Sequence, residues 1–268
     1  MKILSLNCWG GMLHAPLLAY LPAVDADVYF LQEVPRALEP QPESLTYREG
    51  EKTLDQRTEL YREVVALLPR HDGWFLPAAS GPLYDGARAY RSEFGLATFL
   101  RTSFSVIGEV ARFVHGAYSP DGWGEHPRAR NAHCLRVYDH EAGRPVTLAQ
   151  IHGLRDPAGK GDTPARADQA RRLIALIDSV RASGDPLVVC GDFNLLPDSA
   201  TFAMLREAFG LVDLVTSHGF TDTRTSFYEK PGRYADYMLV TPDVTVRSFD
   251  VVETPEISDH RALLLDIG

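Results

Sequence analysis

The sequence predicts an α/β protein. Short β-rich runs recur from one end of the chain to the other, and segments with helical periodicity lie among them. No fixed-period repeat or low-complexity linker interrupts the pattern, so residues 1–268 are expected to form one domain. In chain order, Lys2–Asn7, Asp27–Leu31, Gly95–Leu100, Phe104–Phe113, Ala132–Tyr138 and Val146–Ile151 read as strands. Leu187–Cys190, Tyr234–Val240, Thr245–Val252 and Ala262–Ile267 read the same way.

A helix is expected over Gln56–Leu68, where Leu60, Val64, Leu67 and Leu68 share a face. A second runs from Pro164 to Val180, opened by a Thr163 N-cap and a proline at its first position. Leu173, Leu176, Ile177 and Val180 form its apolar face, with Arg166, Arg171 and Arg172 mostly off it. A third begins near Asp198-Ser199 and stops at Gly210, a C-cap residue. Pro77–Ser92 and Ser119–Arg130 are rich in Gly and Pro and read as long surface loops, a common place for function.

Composition bounds the function. There are 36 acidic and 27 basic side chains, for a net charge of −9. That balance argues against a protein that coats nucleic acid, though not against a compact phosphate site. The lysines are Lys2, Lys52, Lys160 and Lys230, so the basic residues are mostly arginine. Arginine suits bidentate phosphate contacts, and codon bias gives the same composition. No apolar run reaches the roughly 20 residues of a membrane span, and the N-terminus turns polar too early for a secretory segment. Cys8, Cys134 and Cys190 have neither disulfide-framework nor zinc-site spacing, which points to buried thiols and a cytoplasmic location.

The chemistry-bearing residues fall at strand ends. Val188–Asn194 ends a buried strand in Gly191-Asp192-Phe193-Asn194; continued extension would point Asp192 and Asn194 to the same side. A carboxylate and an amide together can position a water and a phosphate oxygen. Asp236 lies in the strand-like Ala235–Val240, where a carboxylate is costly without a partner such as a histidine. Ser258-Asp259-His260 precedes the last strand, and Glu33, His152 and Asn7 each end an apolar run. Each motif alone is a common turn or surface pattern. Oxygen ligands such as Glu33, Asp259 and an Asn suit Mg²⁺ or Mn²⁺ rather than structural zinc.

Taken in order, these motifs resemble those of the endonuclease/exonuclease/phosphatase superfamily, which includes DNase I, apurinic endonucleases, bacterial sphingomyelinases and inositol phosphatases. The resemblance runs from Leu6-Asn7 through Leu31-Gln32-Glu33-Val34, Ile151-His152, Gly191–Asn194 and Ala235-Asp236-Tyr237 to Ser258-Asp259-His260. It implies a four-layer αββα sandwich, two mixed β-sheets face to face with helices outside. It implies Glu33 as the principal metal ligand, with Asn7 and Asp259 at the same site. Asp192 would orient or activate the attacking water, and Asn194 would fix that water and a phosphate oxygen. His260 would be the catalytic histidine, oriented by Asp236. His152 would be a second phosphate-binding histidine, oriented by Glu93.

The apurinic endonucleases usually carry Asp where this chain has Trp9 and Tyr where it has His152, which weakens an apurinic-site role. The segments Thr221–Lys230 and Gly159–Thr163 look similar to a little-characterised bacterial branch, and their Arg224 and Lys160 are candidate substrate contacts. Tyr118, Trp123 and His126 could stack on a ring or simply anchor their loop. The expected activity is divalent-metal-dependent hydrolysis of a phosphoester in a small molecule, lipid headgroup or nucleic acid. DNA or RNA cleavage is the alternative, and a catalytically silent binding domain is the second. No obligate protein partner is expected.

Overall fold

The computed structural model describes residues 1–268 as two mixed β-sheets and five α-helices. The first sheet is built from β1 (Lys2–Asn7), β2 (Val28–Ala37), β3 (Ser44–Glu49), β4 (Lys52–Arg57), β5 (His71–Asp85) and β6 (Arg88–Arg101). The C-terminal β13 (Val246–Val252) and β14 (Ala262–Ile267) join it, in the order β13-β14-β1-β2-β6-β5-β3-β4. The second sheet contains β7 (Ser105–His115), β8 (Arg130–Asp139), β9 (Arg144–His152), β10 (Leu187–Asp192), β11 (Val212–Asp213) and β12 (Asp236–Val240). Its order is β11-β12-β10-β9-β8-β7. Each sheet has one parallel pair, β1 with β2 and β9 with β10, and these central pairs carry several of the candidate residues at their C-terminal ends.

Strand alternation explains the layering. Ile3, Val28 and Phe30 face the second sheet and join its aliphatic residues in the main core. Leu4, Leu6, Tyr29 and Leu31 point the other way, into a second core with Leu17 and Leu21 of α1 (His14–Val24) and Leu60 and Val64 of α2 (Leu60–Leu67). On the far side α3 (Pro164–Asp178) and α4 (Ala200–Phe209) cover the second sheet, and the short α5 (Leu214–Ser217) packs beside β12. The sheets also meet through polar groups. Gln32 Nε2 donates to Gln150 Oε1 at 3.0 Å, and Gln150 Nε2 donates to Thr98 Oγ1 at 2.7 Å.

The caps behave as the sequence indicates. Thr163 Oγ1 accepts from Arg166 N at 3.3 Å, Ser199 Oγ accepts from Thr201 N, and Gly210 ends α4 with φ 73°. Three expectations need correction. Gln56 and Arg57 belong to β4, paired with Leu45 and Ser44, so the helix starts at Leu60. Pro77–Ser92 is no loop but the greater part of the β5–β6 hairpin. Its prolines are tolerated because Pro77 sits at a register shift and β5 meets β3 only at Tyr84. Gly81 is there to admit Trp123, whose ring lies 2.5 Å from where a Cβ would stand. Arg166 is buried rather than off the apolar face. Its Nη2 donates to the carbonyls of Gly159, Leu154 and Asn194 at 2.9, 3.3 and 3.1 Å.

All three cysteines are free and buried, and burial pushes Cys134 and Cys190 up to about 12 and Cys8 higher still. The unfolded chain therefore loses thiol protons first as pH rises above the ordinary value of 9.0. Near pH 10 each thiol is expected to destabilise the fold by about 1.4 kcal/mol relative to neutral pH. Denaturant titrations at neutral pH and pH 10 check this, with Cys134→Ala reducing the alkaline loss. A dithiobisnitrobenzoate assay should find the thiols unreactive until the protein is unfolded.

Candidate active site

The site lies where the C-terminal ends of β1, β9 and β10 meet the middle of β2, the start of β12 and the segment before β14. Gly191 lets β10 approach β9 closely, with φ 133° and a would-be Cβ 2.0 Å from Ile151 O. That contact sets Asp192 opposite His152. The next turn, rather than continued extension, brings Asn194 back: its φ is 54°, and its N–H donates to Asp192 Oδ1 at 2.9 Å. Asn194 Nδ2 donates to Gly153 O at 3.3 Å. From the other sheet Asn7 Nδ2 donates to Asp192 Oδ2 at 3.0 Å, while Asn7 Oδ1 accepts from Trp9 N. Both ends of the Asn7 amide are thus engaged, and one of them braces Asp192.

Glu33 reaches the site through a register irregularity. The β2–β6 pairing shifts between Leu31 and Val34, and Glu33 has φ 55°. Such a bulge re-aims a side chain out of strict alternation. Its Oε1 lies 3.7 Å from His152 Nε2, which lies 3.8 Å from Asp192 Oδ2.

His260 Nδ1 faces both carboxylate oxygens of Asp236, at 2.8 and 3.0 Å. This fixes the tautomer: Nδ1 carries the proton toward Asp236. His260 Nε2 sits 3.8 Å from Asp192 Oδ2 and 3.7 Å from Asp259 Oδ1. Asp192, Asp236 and His260 together offer ligand-capable atoms within 4.8 Å of one another.

Burial dominates the electrostatics. It pushes Asp236 up to about 7, against the pull of Arg224 and a hydrogen bond with Thr223. It holds His260 down to about 4, aided by Arg224 and opposed by Asp259 and Asp192. His152 is held well below the ordinary histidine value by burial, then by Arg130, His260 and Arg155. Asp259 is raised by burial.

The remaining predicted residues divide. Arg224 is not a free loop charge. Its Nη1 donates to Asp259 Oδ2 at 2.9 Å and meets His260 Nε2, and its guanidinium lies over the Tyr228 ring. Lys160 Nζ is taken up by the carbonyls of Gly232 and Tyr234, just before Asp236. Burial lowers it to about 8. Glu93 does not meet His152. It pairs with Arg36, its cross-strand neighbour, and accepts from Tyr118 Oη at 3.0 Å. Trp123 donates to Pro82 O and packs on Tyr47, and His126 meets Glu49, so these loop residues anchor their own segment. The sequence did not single out Arg130, Arg155 or Lys52 beside the site, nor the Trp9–Phe227 ring pair at 5.9 Å. Charged residues near strand starts and in loops carry no periodic signal.

The donor set fits a hard divalent cation. Asp259 Oδ1 is buried with no hydrogen-bond partner, and the Glu33 carboxylate accepts no hydrogen bond.

Two mixed sheets packed face to face with helices outside form an α/β sandwich of the DNase I-like class. The family profile described as the Endonuclease/Exonuclease/phosphatase family matches residues 4–260, and the chain belongs to that family. Membership supports a phosphoester hydrolase in general, in a family that is generally divalent-metal dependent. Solved structures with the same fold include an endonuclease/exonuclease/phosphatase from Bacteroides vulgatus, at 19% identity and TM-score 0.69, covering 100% of this chain and 98% of that one. A mannosyl-6-phosphatase from Bacteroides thetaiotaomicron is similar at 14% identity and TM-score 0.68, covering 100% and 99%. The human nocturnin catalytic domain with bound sulfate is similar at 18% identity and TM-score 0.69, covering 100% and 94%. A search of curated proteins returns no match. No helix is long and apolar enough to cross a membrane.

Proposed function

We propose that residues 1–268 form one catalytic domain that hydrolyses a phosphoester of a small molecule, using Mg²⁺ or Mn²⁺. The observation that carries this reading is the chain of near contacts that links Glu33, His152, Asp192, His260 and Asp259. Their facing atoms stand 3.7 to 3.8 Å apart, too far for hydrogen bonds to one another. Groups so placed are spaced to take up something between them.

Glu33 and Asp259 would hold the cation, with Asn7 at its border. When bound, the cation neutralises phosphate charge as a Lewis acid. Asp192, braced by Asn7 and the Asn194 backbone, orients a water and accepts its proton as the new P–O bond forms. The ester P–O bond breaks on the opposite side, and the leaving oxygen takes its proton from solvent.

His260 faces the phosphate with Nε2 while Asp236 holds Nδ1–H. An arriving phosphate draws Arg224 off Nε2 and favours a proton there, so that His260 donates to a phosphate oxygen. His152 and Asn194 take the other oxygens. The net charge of −9 favours a small substrate over a long duplex.

Hydrolysis of bis-p-nitrophenyl phosphate with Mg²⁺ or Mn²⁺ tests the reaction. A panel of sugar phosphates including mannose 6-phosphate, inositol phosphates, nucleotides, sphingomyelin, plasmid DNA and single-stranded nucleic acid tests the substrate. Activity no higher than that of Asp192→Ala, with every metal and ester, would leave the silent binding domain as the correct reading. Cleavage confined to the nucleic acids would make it a nuclease.

A further inference from the structure

A group of cations on the Glu33 side of the site has no use in the reaction described above. Arg130 opens β8 and is only 7% exposed, yet it forms no ion pair with any carboxylate. Its Nε donates to Gly153 O at 2.9 Å and its Nη1 to Ala129 O at 3.1 Å, leaving Nη2 with no protein acceptor. A buried guanidinium without a counter-ion is costly, and burial accordingly lowers Arg130 to about 10.

Arg155 follows three residues after the end of β9, also without a carboxylate partner. Its charge is felt at His152, at Arg130 and at Lys52. Lys52 stands across the β3–β4 turn from Glu49 and feels the charges of Glu33 and Asp259. Glu49 cannot neutralise the group, because Arg128, His126 and the Tyr47 hydroxyl already engage it. Those contacts tie the hairpin tip to the segment leading into Arg130, so the two form one wall. Within a chain of net charge −9, Arg130 is here held by backbone carbonyls rather than by a carboxylate.

The Gly153 carbonyl that orients Arg130 also accepts from Asn194. The guanidinium is therefore keyed to a residue that holds the scissile phosphate in the proposed mechanism. We infer that Arg130, Arg155 and Lys52 form a second anion subsite, and that the substrate is a small molecule carrying a second phosphate beside the one hydrolysed. This rests on the phosphoesterase reading and narrows it. A small ligand is favoured because Arg130 is buried behind the joined wall, where a group must enter rather than lie along a surface. Arginine forks and a lysine point charge are the donors that recognise phosphate.

The test compares fructose 1,6-bisphosphate with fructose 6-phosphate by calorimetry with Mg²⁺, in an Asp192→Asn background so that neither ligand is consumed. The bisphosphate is expected to bind at least about ten-fold more tightly. The substitutions Lys52→Ala and Arg155→Ala together, at exposed side chains, should bring the ratio close to one. Arg130→Lys should lower it without removing a charge, because the fork is lost. A ratio near one in the parent, or one that survives the double substitution, overturns the subsite. So does tight binding of a single-stranded oligonucleotide that the double substitution removes while the sugar ratio stays near one. Hydrolysis by the wild type of the full panel of esters above, fructose 1,6-bisphosphate included, with Mg²⁺ and Mn²⁺ is scored separately. Selectivity without hydrolysis would end the catalytic reading and leave the subsite standing, and hydrolysis without selectivity would do the reverse.

Discussion

Asp192→Asn is expected to lower kcat by about a thousand-fold, the effect of losing a positioned base. The substitution is nearly isosteric. The Asn7 Nδ2 donor at 3.0 Å and the Asn194 N–H donor at 2.9 Å would both need an acceptor, and an amide supplies only one oxygen. That single oxygen can serve either donor, so some loosening of the turn accompanies the loss of the base. Asn7→Ala removes the brace on Asp192 while leaving the base, and its loss should be at least ten-fold smaller. Far-UV circular dichroism and the unfolding midpoint separate a chemical defect from a folding one. A fully active, folded Asp192→Asn protein would remove Asp192 from the mechanism.

The second large effect is expected at the His260–Asp236 pair. His260→Ala should lower kcat by about 10²- to 10⁴-fold with metal binding retained, because in the proposed mechanism His260 acts on phosphate oxygens rather than on the cation. Asp236→Asn should cost a similar or smaller factor. The double variant should be no worse than His260→Ala alone. The Asp236 carboxylate hydrogen-bonds to His260 Nδ1 and to no other proposed catalytic side chain, and groups that act as a unit are not additive.

Stability should behave differently from activity at this pair. Asp236 has its folded value raised to about 7 from 3.8, so the native state binds the extra proton between those values. Stability from this group is therefore lost as pH rises through 7. Asp236→Asn removes that penalty, and its unfolding midpoint at pH 8 should not fall below that of the wild type. Multiplicative losses in the double variant would mean that Asp236 contacts substrate independently.

Much of the fold was legible because its inner strands are short and mostly apolar. β1, β10, β12 and β14 were each read within a few residues of their observed limits. The β3–β4 hairpin was not, since Lys52–Arg57 is mostly polar and exposed and its glutamine and arginine also suit a helix. The α1 helix escaped because Pro16 and Pro22 interrupt it near its two ends, where a missing N–H or a short last turn is tolerated. β5 escaped because its glycine and prolines, which serve Trp123 and a register shift, look like loop composition.

The candidate residues were legible as strand-end positions, but their meeting was not. Asn7 and Asp192 are 185 residues apart, and no local pattern encodes that distance. Arg166 was hidden for the opposite reason. Its charge suggests solvent, whereas its position seven residues before Leu173 puts it on the buried face, where neighbouring carbonyls accept from its guanidinium. The expected Glu93–His152 contact failed because Arg36, in register on the adjacent strand, is a nearer and stronger partner for that carboxylate.

The Ser258 hydroxyl donates to the carbonyl of Asn7 at 2.6 Å, across 251 residues of sequence. During translation, then, the earliest-made part of the pocket waits for the latest. A ribosome-bound chain that has completed every strand through β12 still lacks His260, the β14 partner of β1 and the Ser258 contact to Asn7. On the proposed mechanism, a chain cut short before His260 is expected to be inert rather than partly active.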